Sequence, residues 1–134
     1  MFLNQLQLHK HKEAFLNLAH YIASVDGIVS AKEKEYIAQY LYELDLEEGE
    51  IRIQELPLSD IIRDIDDPTV RNIIFMEIIA LIFADGDYSS EEKQAVDEIK
   101  ACFGVSEERY EACKDWVRRM NELYAEGVAL VRPA

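Results

Sequence analysis

Apolar residues fill eleven of the twelve positions from Ile73 to Ala84, and the exception is Glu77. A helical run with no polar face is buried nearly all round. This one is too short for a membrane span and carries a charge. It predicts the central helix of a soluble helical domain, closed by Asp85-Gly86 and opened by Asp67-Pro68, an N-cap with proline at the first helical position. Before it, Phe2, Leu3, Leu6 and Leu8 suit a short docking helix over 2–8. Phe15, Leu18, Ala19 and Ile22 then fall at i, i+3, i+4 and i+7 of a helix that starts near His11. That helix stops at Asp26-Gly27. Ser30 with Glu33 forms a capping box for the next helix, whose buried stripe is Tyr36, Ile37, Tyr40, Leu41 and Leu44.

The acidic stretch Glu47 to Gln54, with Gly49, predicts a connection, and Pro57 punctuates it. A short helix from about Ser59 to Ile65 turns Ile61, Ile62 and Ile65 inward. After the central helix, Ser89 with Glu92 forms a second capping box. The helix it opens carries Ala95, Val96, Ile99 and Phe103, and Gly104 suits a left-handed stop. Ser106 opens the last helix, with Glu107 and Glu108 at the positive end of its dipole. Tyr110, Cys113, Val117, Met120 and Tyr124 make its stripe, Gly127 ends it, and Val128 to Ala134 is a frayed or docking tail. Period-two alternation is short everywhere. The chain therefore predicts an all-α, compact bundle of six to seven helices in one domain, residues 1–134.

The two Asp-Gly connections are copies at an offset of 59 residues. Between 26–37 and 85–96 five of twelve residues are identical, where chance gives roughly one. The shared pattern, D-G-x-h-S-x-x-E between two helices, implies two pseudo-repeated helix-loop-helix units, about 11–46 and 70–105. Ser and Glu have a capping role and Gly a left-handed one. The Asp is harder to place, because it sits at a helix C-terminus, where the dipole disfavours an anion. Backbone N–H groups or a cation would offset it.

Net charge is −13, from 27 acids against 14 bases. Such a surface repels phosphate backbones and anionic membranes, and favours cations or a protein partner with a basic surface. Against the EF-hand pattern, Asp26, Gly27, Val29 and Glu33 match positions five, six, eight and twelve, as do Asp85, Gly86, Tyr88 and Glu92. Positions one and three fail, at Ile22 and Ser24 in one copy and Leu81 and Phe83 in the other. A standard EF-hand is excluded, and a cation site needs ligands from elsewhere. The candidate ligands are Asp26, Glu33, Asp85, Asp87 and Glu92, with the second connection favoured because Asp87 and Glu91 add oxygens. Oxygen donors point to calcium, magnesium or manganese.

No Ser/His/Asp or Cys/His set has credible spacing and no Gly-rich phosphate loop is present, so the expectation is a protein that is not an enzyme. His9 and His11 are expected to be exposed and His20 to lie on a helix surface or core edge. Glu77 is expected to mark a strip where the central helix reaches solvent. Cys102 and Cys113 are expected to be buried, reduced thiols. No basic region followed by an apolar one opens the chain, so no secretory signal is expected.

The apolar helices ending in Ala23-Ser24-Val25-Asp26-Gly27, with Glu33, and in Ala80-Leu81-Ile82-Phe83-Ala84-Asp85-Gly86, with Glu92, resemble the tellurite-resistance TerB-like family over about residues 11–124. Ser24 and Val25 depart from its usual Ala-rich approach to the first Asp-Gly. The resemblance implies a compact helical bundle in a cytoplasmic, stress-associated bacterial protein. It also implies metal binding through acidic residues, here Asp26, Glu33, Asp85 and Glu92. A related domain in a DnaJ-type co-chaperone implies a role as an interaction module.

Overall fold

The computed structural model describes residues 1–24, 31–83 and 90–133, with only the backbone of 31–34. Among these residues six helices follow a 3₁₀ turn at Leu3–Gln5: α1 His9–Ser24, α2 Ala31–Glu43, α3 Leu58–Ile62, α4 Pro68–Ile82, α5 Ser90–Phe103 and α6 Glu107–Val131. No strand occurs among the described residues, so the fold is all-α, as the periodicity predicts.

α4 is the hub. Ile73, Ile74, Phe75, Glu77, Ile78, Ile79 and Ile82 are all buried along it. α1 packs on one side and α6 on another, while the 3₁₀ turn touches both α4 and α2. α1 also meets α2 and α3, and α3 meets α5. One apolar cluster runs through all of them, from Leu3 to Val117. Its interior includes edge-on pairs, Phe15 with Tyr40 and Phe75 with Tyr110, an arrangement that the ring quadrupoles favour.

Local chemistry sets the visible helix ends. Asp67 Oδ1 accepts from the backbone N–H of Thr69 at 2.8 Å and of Val70 at 3.2 Å, with Pro68 at the first turn of α4. Ser106 Oγ accepts from Arg109 N–H at 3.1 Å and caps α6. α5 stops as predicted at Gly104, φ 69°. There the Val105 N–H reaches back to the Lys100 carbonyl at 2.9 Å, the Schellman closure. α2 ends the same way, but with Asp45 at φ 58° in the left-handed position and the Leu46 N–H on the Leu41 carbonyl. No glycine signals that end in the sequence.

Several expectations need correction. Gly127 does not stop the last helix; α6 continues through it to Val131, so the tail is largely helical. Tyr124, expected in the apolar stripe of the last helix, is 76% exposed. The N-terminal docking helix is only a 3₁₀ turn, which buries Leu3 and Leu6 but leaves Leu8 exposed. α3 is shorter than predicted and starts one residue earlier, at Leu58. Both cysteines are free, yet Cys102 is exposed and Cys113 only half-buried. Burial still pushes the Cys113 thiol up, against the pull of Arg109.

Candidate functional site

The predicted cation ligands fall at the edges of what is described. Asp26, Asp85 and Asp87 lie outside the described residues, as do Gly27, Ser30, Ala84, Gly86 and Ser89. The two capping boxes and the two Asp-Gly stops therefore fall there too. Glu33 is placed on α2 by its backbone, and its side chain is outside the description. Glu92 is half-buried in the first turn of α5, beside the exposed Glu91.

What the structure does show is how the flanks of the two connections are arranged. Ser24, the last residue of α1, precedes the first connection. Glu91 is the second residue of α5, just after the second. Both line one surface cleft of about 340 Å³, together with Tyr21, Gln94, Ala95 and Glu98. The C-terminal end of α1 thus faces the N-terminal half of α5. The Tyr21 hydroxyl donates to Glu98 Oε2 across the gap, at 3.3 Å. Burial, then the Glu98 charge, pushes the Tyr21 phenol up, which keeps it a donor. The Ser24 hydroxyl donates within its own helix to the His20 carbonyl, at 2.8 Å.

Oxygen dominates the donors around this cleft, and neither cysteine nor histidine lines it. That set suits a hard cation and not zinc or copper. Among the described residues no three His, Cys, Asp or Glu side chains gather into a metal-sized group.

The histidines divide. His9 is exposed as expected and lies 3.6 Å from Glu50. His20, at the core edge as expected, lies 3.7 Å from Glu55. His11 corrects the expectation: it is 5% exposed. Its Nε2 makes no hydrogen bond and sits 3.7 Å from Asp66 Oδ1.

Glu77 also corrects its expectation. It is 4% exposed, inside the bundle. Its Oε1 accepts from the Phe2 N–H at 2.7 Å and lies 3.2 Å from the Met1 nitrogen, which is 3.0 Å from Glu43. A buried carboxylate is tolerated only with such partners. Burial, with the Glu77 charge next in size, drives the nearby Tyr40 phenol well above its ordinary range. Asn17 is the third buried polar residue among those described; its Oδ1 accepts from the Gln54 N–H at 2.9 Å and ties the irregular connection to α1. Sequence reasoning missed Asn17 altogether. The one signal available was its place in the sequence between Leu16 and Leu18.

No helix among the described residues is long and apolar enough to cross a membrane. Comparison with protein-family models, with curated proteins and with solved structures finds no match to this chain.

Proposed function

We propose that the chain is a non-enzymatic, cytoplasmic, stress-associated domain of the TerB-like kind, and that it holds a divalent cation where its two acidic connections come together. One observation carries this reading. The described flanks of both connections, Ser24 on one side and Glu91 on the other, border a single cleft. Neither connection alone has enough oxygen ligands, so a shared site is what the repeat requires. The carboxylates of Asp85, Asp87 and Glu92, with Asp26 and Glu33 from the first copy, would supply it. Calcium, magnesium or manganese is the class of ion that such ligands take.

Titration with calcium or manganese tests it. A ligand that binds only the folded state raises the melting temperature as its concentration passes the dissociation constant. The amides of residues 84–93 should shift in parallel. Asp85→Asn should abolish both responses and leave the metal-free melting temperature unchanged. Flat responses at millimolar metal remove the reading.

Net charge supports a second reading, an acidic interaction adaptor whose connections are purely structural. With −13 on 134 residues, a basic partner is drawn from a distance and bound less tightly as salt is added. In that case Asp85→Asn lowers stability whether or not metal is present.

A further inference from the structure

The stripe that docks α6 on α4 does not end where the bundle ends. Tyr110 and Val117 are buried, and Cys113, Trp116 and Met120 are half-buried. Beyond Met120 the helix continues for eleven residues to Val131, about 16 Å at the helical rise. Val128 is half-buried there, and every other residue of that length is exposed. Leu123 is 68% exposed, Tyr124 76%, Leu130 85% and Val131 83%. Short helices are marginal in water without a packed face, and this one also contains Gly127.

These four side chains have an internal symmetry. On a helix of 3.6 residues per turn, Leu123 and Val131 flank Gly127 closely on either side of one face. Tyr124 and Leu130 flank it slightly further out. The face centred on Gly127 is therefore its own mirror under a two-fold rotation. A second α6 crossing it antiparallel at Gly127 sets Leu123 beside Leu130 of the second copy and Tyr124 beside its Val131, twice over. A Cβ at residue 127 would meet nothing within 4 Å, so a neighbouring backbone has room to come close.

Charge selects the occupant. α6 holds six acids and four bases, a net −2 of the chain's −13, and from Met120 onward the face centred on Gly127 has none of them. A basic partner has no carboxylate to meet on this face. Two copies, repelling one another through the acidic remainder of each chain, approach with least opposition here. We infer that the C-terminal half of α6 pairs with the same segment of a second copy of this chain, antiparallel and crossing at Gly127. This inference does not depend on cation binding.

Sedimentation equilibrium of the full chain tests it. A reversible dimer is expected, and it should tighten as sodium chloride rises, because salt screens the repulsion between two acidic bodies. Leu123→Glu with Leu130→Glu should weaken dimerisation about tenfold or more. The far-UV circular dichroism and melting temperature of the diluted protein should stay unchanged, since both side chains lie outside the core. Gly127→Leu should also weaken the dimer, although leucine favours the helix more than glycine does. A wild-type chain that is monomeric at millimolar concentration overturns the inference. So does a dimer that survives the double variant unchanged, or one that loosens with salt.

Discussion

α4 and α6 are both helical from end to end, but they hold the molecule in opposite ways. α4, at 15 residues, is buried around most of its circumference. α6, at 25 residues, buries only Tyr110 and Val117 fully. α6 has more turns and more ion pairs, and a cap of its own at Ser106. Arg118 bridges Asp115 and Glu122, and Arg119 joins Asp115. Exposed pairs of this kind contribute little. The difference teaches that removal of apolar area from water, and not helix length or ion-pair number, decides which element the fold depends on.

The largest expected effect lies at the centre of α4. Ile74 is 0% exposed, and Ile74→Ala should cost about 2–5 kcal/mol through lost transfer energy and the cavity left behind. Chemical denaturation will measure it, and a cost below that of an α6 substitution would break the contrast. Next comes Glu77→Ala, which strands the Phe2 N–H and should cost about 1–3 kcal/mol. Hydrogen exchange at Phe2 should accelerate alongside.

The same buried region can be probed by pH. Tyr40 has its phenol raised above 10.0 by burial. The folded state therefore keeps that proton when the unfolded state has lost it. Stability is fully present below pH 10 and falls progressively above it. Melting temperatures between pH 9 and 12 should show the decline, and Tyr40→Phe should flatten it. A smaller effect, about 0.5–2 kcal/mol, is expected for Asp67→Ala at the N-terminus of α4. The smallest belongs to the free end of α6, where Tyr124→Ser should change monomer stability by less than about 0.5 kcal/mol.

Much of this contrast was legible before any coordinates. An unbroken apolar run announces a helix buried on all sides, and Asp67-Pro68, Gly104 and Ser106 announce ends that the backbone confirms. Gly127 was misleading because a glycine stops a helix only when its φ turns positive, as at Gly104, and composition alone cannot say which glycine will turn. Tyr124 continues a stripe at the right spacing, but spacing cannot tell where the opposite surface runs out. Glu77, His11 and Asn17 were illegible for a common reason. Their neighbours Phe2, Asp66 and Gln54 come from remote stretches of chain, and no local pattern encodes such a meeting. Of the candidate cation site, the oxygen chemistry and the repeat were readable, while the approach of Ser24 and Glu91 to one cleft depends on the tertiary placement of α1 and α5.

The hydrogen bond from Phe2 to Glu77 spans 75 positions, and this has a consequence for how the chain is made. Residues 2–6 leave the ribosome before α4 does, yet the groove that receives Leu3 and Leu6 is built partly from α4. At roughly 5–20 residues per second of translation, that groove appears several seconds later. Through that interval two leucines and a phenylalanine wait in solvent, available to a nascent-chain chaperone, until the central helix emerges and draws them in.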